Sequence, residues 1–135
     1  MFTRTCLSLS DVVVLAKAAR AEAEQNGWKL TIAIVDAGGH LLHLERMDGA
    51  MPMTIDLSVQ KARTAAMAGR ETKPMEDAVN GGKFAILSAT GVTPLEGGIP
   101  LIYKGEVVGG IGASGANSAQ DAQCGMVAAE ALIRL

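Results

Sequence analysis

The sequence has 135 residues, of which 12 are Lys or Arg and 14 are Asp or Glu, so its net charge at pH 7 is −2. With no basic patch and only one Trp, one Tyr and two Phe, it lacks the features that favour nucleic-acid binding. Its longest apolar run, Val12 to Ala16, is far too short to span a membrane. Residues 1–10 lack the pattern of a signal peptide, so we expect one cytoplasmic domain over residues 1–135.

The first helix is predicted from about Asp11 to Asn26. Ser8 or Ser10 would cap it, because a Ser side chain accepts a hydrogen bond from the free amides of the first turn. Gly27 follows the last turn and favours a left-handed C-cap. One stripe at helical spacing is apolar and is expected to be buried: Val12, Leu15, Ala16, Ala19 and Ala23.

A β-hairpin is predicted next. Thr31 to Val35 is uncharged and rich in β-branched residues, which indicates a buried strand. Asp36 to Gly39 supplies the turn, and Leu41 to Glu45 returns as the second strand. A polar cluster follows the second strand. We therefore expect the hairpin to place its polar residues at one edge or mouth of the sheet: His40, Arg46 and Asp48.

Two helices follow the hairpin. The longer one is predicted from about Ile55 to Ala68, with Thr54 or Asp56 as its cap and Gly69 at its end. A shorter helix spans about Pro74 to Asn80 and closes at Gly81 and Gly82. The longer helix has a narrow apolar stripe, rich in small residues, that suits close packing on a sheet: Ile55, Val59, Ala62 and Ala66.

The second half of the chain predicts another hairpin. Phe84 to Ser88 is compatible with a strand or with a helical turn, and Thr90 to Gly98 has the composition of a loop. Ile99 to Tyr103 and Glu106 to Ala113 then form two strands around a turn at Lys104 and Gly105. The last strand contains three glycines, which commonly mark a bulge or the close approach of a ligand or another backbone: Gly109, Gly110 and Gly112.

The last predicted helix spans about Ala119 to Arg134. Ser118, with Asp121 three residues later, resembles a capping box. This helix is apolar over most of its surface, which predicts that it is covered on more than one side.

Paired strands with helices before and after them indicate an α+β fold. Cys6 and Cys124 are interpreted as reduced thiols.

The chain is also unusually apolar. Its hydrophobic fraction is 49%, and a chain of 135 residues has limited interior in which to bury so much apolar surface. We therefore expect a homo-oligomer.

Several motifs together resemble a known family. The chain is similar to the GlcG/HbpS-like family of haem-binding proteins in five places: IVDAGGHL in the first hairpin (a VVDAGGHL-type pattern), ERMDGA, KARTAA, GGIPLIYKGEVVGGIGASG and the QD pair of the last helix. The same module is similar to the C-terminal domain of PduO-type cobalamin adenosyltransferases. The resemblance runs from Leu7 to Leu135. It implies a profilin-like, five-stranded antiparallel sheet flanked by helices on both faces, and assembly into dimers or higher oligomers.

The resemblance also assigns candidate site residues. The family's recurrent polar positions correspond to residues of the first hairpin, of the second helix and of the loop before the third strand. Glu96, beside that loop, joins the set. The candidates for ligand binding are His40, Arg46, Asp48, Lys61, Glu96, Gly97, Gly98 and Pro100, with Asp36 as a further recurrent position and His40 as the candidate metal ligand.

The chemistry of these residues leaves alternatives open. His40 is either an axial ligand of haem iron, a donor to a bound oxyanion, or a turn histidine bonded to backbone and solvent. Arg46 and Asp48 either clamp and orient a carboxylate or pair with each other. Lys61 either contacts a ligand carboxylate or forms a buried pair with Asp36 or Asp48. His43 is the weaker candidate, because residues three apart on a strand point to opposite faces.

These residues and motifs support three hypotheses of function. The favoured hypothesis is an oligomeric small-molecule-binding protein, of the haem or tetrapyrrole type, with its pocket near the first hairpin and a subunit interface. Its ligand would carry carboxylates. The second hypothesis is an enzyme acting on small organic acids in a glycolate, diol or aromatic catabolic pathway, with His40 as general acid or base. The third is an accessory protein without ligand chemistry.

Overall fold

The computed structural model of the protein describes residues 1–135 and contains one antiparallel sheet with the strand order β2-β1-β4-β3. The α+β fold class is confirmed. The strand number implied by the family resemblance is wrong, because the sheet has four strands rather than five. Phe84–Ser88, for which the sequence was compatible with a strand, forms a 3-10 helix. The regular elements are α1 Leu9–Asn26, β1 Thr31–Asp36, β2 Leu41–Arg46, α2 Thr54–Ala68, α3 Lys73–Asn80, β3 Gly98–Tyr103, β4 Glu106–Ser114 and α4 Ser118–Ile133.

Helices cover both faces of the sheet. The side chains of β1 alternate: Ile32 and Ile34 belong to the larger core with α1 and α4, whereas Ala33 and Val35 pack with Ala62 and Ala66 of α2. Strand β1 lies between β2 and β4 and is buried on both sides. The sheet therefore has a thick aliphatic layer on one face and a thin layer of small side chains on the other.

The glycines of β4 explain the thin layer. A Cβ atom added to Gly112 would overlap the carbonyl oxygen of Ser58, and one added to Gly110 would overlap the carbonyl oxygen of Ala62. Both obstacles are backbone atoms of α2. The predicted close approach of another backbone is therefore confirmed, and it is α2 that approaches the strand.

Helix ends follow the sequence signals in part. Ser8 caps α1 in a capping box with Asp11, and the five predicted apolar residues of α1 are all buried. The predicted caps of α2 are wrong, because Met53 is its N-cap and the Thr54 hydroxyl bonds Thr31 at 2.8 Å.

The cap of the last helix also differs from the expected one. Asn117 caps α4 in a box with Gln120, instead of the predicted Ser118 with Asp121. The reason is that the carboxylate of Asp121 is turned into the interior, where it pairs with Lys61.

Many large apolar side chains remain on the surface of the chain. Leu41, Leu42 and Leu44 are at least 37% exposed on the edge strand β2, and Met126 and Ile133 are exposed on α4. Helix α4 nevertheless packs against α1 on one side and against β3 and β4 on another, so the prediction that it is covered on more than one side is confirmed. No helix combines the length and the apolar character that a membrane crossing needs.

Candidate functional site

His40 stands at the turn of the first hairpin and borders a shallow depression of about 280 Å³. One wall is the hairpin turn, and the other is the segment before α1. The lining combines apolar side chains with one imidazole, one thiol and one guanidinium: Arg4, Cys6, Leu7, His40, Leu42 and Val108 are among the lining residues. An imidazole can bind a metal ion, and apolar surface beside it can pack against an apolar group, so the lining suits a ligand that combines the two.

The imidazole of His40 is exposed but not isolated. Its Nδ1 atom lies 3.5 Å from Oδ1 of Asp36, and 84% of the side chain is accessible. The same carboxylate oxygen accepts hydrogen bonds from the backbone amides of Gly38 and His40, both at 2.9 Å. These backbone hydrogen bonds, that of His40 first, lower the pKa of Asp36. An ionised carboxylate therefore lies beside Nδ1 at neutral pH.

Arg46 and Asp48 lie elsewhere on the chain. Arg46 ends β2 and pairs with Thr31, the first residue of β1, whereas His40 precedes β2 at the turn. Six residues of extended strand separate them by roughly 20 Å. The prediction that one hairpin mouth gathers His40, Arg46 and Asp48 is therefore wrong within one copy, because the two groups stand at opposite ends of the same strand.

The surface around Arg46 is a second depression. It is lined by charged side chains and one methionine: Arg20, Glu24, Lys29, Glu45, Arg46, Met47 and Asp48. Arg20 is engaged by Glu45 at 3.0 Å, and His43 contacts the other oxygen of that carboxylate at 3.2 Å. Arg46 and Asp48 take no part in an ion pair. The guanidinium of Arg46 is thus free to meet an anion from solution.

Lys61 is buried in the interior, with 5% of its side chain exposed. Its Nζ donates to the carbonyl oxygen of Ala113 at 3.1 Å and to Oδ2 of Asp121 at 3.3 Å. The buried pair is therefore formed with Asp121, and the expected partners, Asp36 and Asp48, are wrong. Burial raises the pKa of Asp121 more than the nearby ammonium of Lys61 and the Ala116 amide lower it. Lys61 ties α2 to the start of α4 and does not reach the surface.

The loop before β3 is closed around the same pair. Gly97 has φ +126, and a Cβ there would lie 2.9 Å from Nζ of Lys61. The amide of Gly98 donates to the hydroxyl of Thr72 at 3.0 Å, so this amide is not free for an anion. Glu96 lies in a groove with Glu71 and Lys73, while Pro100 pairs with Gly110 of β4. The depression beside His40 is bordered by none of the four predicted site residues of this segment, which are Glu96, Gly97, Gly98 and Pro100.

The sequence did not predict several residues of the depression beside His40 or the partner of the buried Lys61. Arg4, Cys6 and Leu7 precede the first helix and carry no motif, so only the fold brings them to His40. Asp121 had a local signal, since it is an acid among the apolar residues of α4. Its partner Lys61 lies 60 positions away, which no spacing rule connects.

This chain is similar to several known proteins. A family model described as haem degrading protein HbpS-like matches residues 7–130. Protein GlcG of Escherichia coli strain K12 is 43% identical over 114 residues, which cover 84% of this chain and 85% of GlcG. A double mutant of HbpS from Streptomyces reticuli is 32% identical with a TM-score of 0.90, covering 98% of this chain and 90% of that one. The PduOC–haem complex is 31% identical with a TM-score of 0.84, covering 94% and 95%.

Proposed function

The chain belongs to the HbpS-like family, and we propose that it binds haem at the depression beside His40, with this imidazole as the axial iron ligand. The observation that carries the proposal is an exposed imidazole with a carboxylate behind Nδ1 and aliphatic side chains beside it. A metal-bound histidine almost always donates its other ring N–H to an acceptor, which is a carboxylate, a backbone carbonyl or a water. A family relative that was crystallised with haem supports the choice of ligand.

The lining of the depression fits the parts of a haem. Leu7, Leu42 and Val108 provide apolar surface for the macrocycle, and the guanidinium of Arg4 suits a propionate. Arg4 now lies 3.6 Å from Glu106, an exposed contact that a propionate could replace at little cost. Bound haem would supply an iron centre for redox or oxygen chemistry. The chain's own part is to hold and orient the group.

One copy gives an incomplete site. The depression holds about 280 Å³, whereas pockets for drug-sized ligands hold roughly 300–1,000 Å³ and bury most of the ligand. Leu42, one of the exposed leucines of β2, borders it. We therefore infer that a second copy covers the other side of the ligand in a homo-oligomer.

The test is a haemin titration followed by the Soret band. We expect saturable binding in the wild type, and a shifted band with at least tenfold weaker binding in His40→Ala. His43→Ala is the matched control, because His43 is turned to Glu45 outside the depression. Cys6→Ser separates thiolate from imidazole ligation, because Cys6 borders the same depression. Unchanged binding and spectrum in His40→Ala would refute His40 as the ligand.

A second candidate function is binding of a small organic acid at Arg46. It is favoured by the unpaired guanidinium of Arg46 and the nearby ammonium of Lys29 in the second depression. Chemical-shift titration with glycolate tests it, with Arg46→Gln as the variant and Arg63→Gln as the control. Shifts that are confined to this depression and lost in Arg46→Gln would support it. No shift at millimolar glycolate would exclude it for that acid.

A further inference from the structure

We propose that Asp36 is a positioning residue that holds His40 in the tautomer with its proton on Nδ1 and so leaves Nε2 free to bind iron. This inference rests on the proposed function of the same depression. In a neutral imidazole one nitrogen carries the proton and the other accepts or ligates. The group that faces Nδ1 therefore decides which nitrogen is offered to a metal.

The carboxylate of Asp36 is fixed by the turn itself. Its Oδ1 accepts from the amides of Gly38 and His40, and the amide of Asp36 donates to the carbonyl oxygen of His40 at 2.8 Å. The backbone of His40 is thus held to Asp36 by one bond in each direction. The side chain of Asp36 cannot leave without the loss of two hydrogen bonds, so its position beside the imidazole is built into the hairpin.

The imidazole is confined on the Nδ1 side only. Oδ1 of Asp36 lies 3.5 Å from Nδ1, and a Cβ added to Gly38 would lie 3.2 Å from the same nitrogen. Nε2 makes no hydrogen bond or ion pair within the chain, and the side chain is 84% exposed. An ionised carboxylate is acceptor-only, so it favours the proton on Nδ1. The nitrogen left without a proton is Nε2.

A carboxylate beside Nδ1 makes His40 a stronger ligand of iron. It makes the imidazole a better electron donor and removes the entropy of choosing a ring orientation on binding. Loss of such a partner typically weakens metal binding by about 10- to 100-fold. The effect is expected for iron alone or for haem iron, since it acts on the nitrogen and not on the macrocycle.

The first experiment uses the protein without haem. Nitrogen-15 NMR of the imidazoles, at a pH where they are neutral, reports the tautomer of each histidine. We expect His40 to be enriched in the Nδ1–H form in the wild type and to move toward the Nε2–H form in Asp36→Asn. Asparagine keeps an oxygen for the two amides, so the turn is retained while the charge is removed.

His43 is an internal control in the same spectra. Its Nε2 lies 3.2 Å from Oε1 of Glu45, so it favours the opposite tautomer and is unaffected by Asp36→Asn. Equal tautomer populations of His40 in the wild type and in Asp36→Asn would overturn the inference. A turn with a purely structural role would change the unfolding temperature and leave the tautomer as it is.

The second experiment is the haemin titration of the same variants. We expect about 10- to 100-fold weaker binding in Asp36→Asn, with partial recovery in Asp36→Glu. The titration distinguishes a failure of the proposed haem binding at His40 from a failure of the positioning role of Asp36. If His40→Ala binds haemin like the wild type, the proposed function fails whatever the tautomer. If His40→Ala loses binding but Asp36→Asn changes neither tautomer nor affinity, the positioning role fails alone.

Discussion

Two residues show how position decides what a charged side chain does in this chain. Asp36 is partly exposed on a turn, and its negative charge is stabilised by backbone amides, so it acts as a fixed acceptor for an imidazole. Asp121 is buried and its pKa is raised by that burial, so it depends on the ammonium of Lys61. The first residue is suited to a ligand site. The second is suited to holding elements together.

Lys61→Met is expected to destabilise the fold by about 3–5 kcal/mol, because it leaves the buried carboxylate of Asp121 without its counter-charge. Urea unfolding at pH 7 measures this loss. Lys17→Met, on the exposed face of α1, is the control and should change stability by less than about 0.5 kcal/mol. The double variant Lys61→Met, Asp121→Asn should lose less than Lys61→Met alone, since no charge stays buried. Purely additive losses would contradict a direct pair.

The two thiols are expected to differ in reactivity. Cys124 is fully buried, and burial, with smaller contributions from Glu22 and Asp121, raises its pKa to about 12. Cys6 is exposed. At pH 8 iodoacetamide should label Cys6 in the folded protein and Cys124 only after denaturation, because the thiolate is the reactive form. Mass spectrometry counts the labels, and equal labelling rates in the folded state would show that α4 opens readily.

At the scale of elements, local signals could be predicted and distant pairings could not. Gly27 and Gly69 end their helices with φ +74 and +69, as the sequence indicated, because this conformation is open to glycine at no steric cost. Lys104 and Gly105 form the tight turn between β3 and β4 with φ +49 and +81. These features depend on neighbours in sequence.

The candidate site was predicted only in part for the same reason. His40 and Asp36 belong to one turn, so their proximity follows from the local sequence. Arg46 was wrongly joined to them, although the length of an extended strand already separates its two ends by roughly 20 Å. Lys61 and Asp121 meet only because α2 and α4 both reach the end of β4, which is a property of the whole fold.

Gly112→Ala tests the close packing of α2 on β4. The added Cβ would overlap the carbonyl oxygen of Ser58, and neither backbone can move without disturbing the sheet. We expect a loss of about 1–3 kcal/mol or more, as for other overpacked positions, measured by thermal or urea unfolding. Gly81→Ala is the control, because φ at Gly81 is −81 and the nearest atom to its Cβ lies at 3.3 Å. Equal effects of both changes would argue against this packing.

At the scale of the whole molecule, the chain buries too little to account for its apolar composition. Only 39 of 135 residues are buried, and large apolar side chains stay exposed on β2, on α4, just before α2 and in its last turn. Where such exposed side chains form a contiguous patch, the patch usually marks a contact with another molecule. The proposed second copy would account for two observations, the incomplete depression beside His40 and the exposure of Leu42 at its border.

Leu42→Glu tests that explanation, because Leu42 borders the depression and is 37% exposed in one copy. If a second copy covers the site, the new carboxylate becomes buried without a partner, which costs several kcal/mol. We therefore expect a smaller assembly by light scattering and at least tenfold weaker haemin binding. Val13→Glu adds the same charge at an exposed position of α1 outside the depression and should leave haemin affinity unchanged. A haem-saturated wild-type species that contains a single 13.9 kDa chain would show that one copy suffices and would refute the shared site.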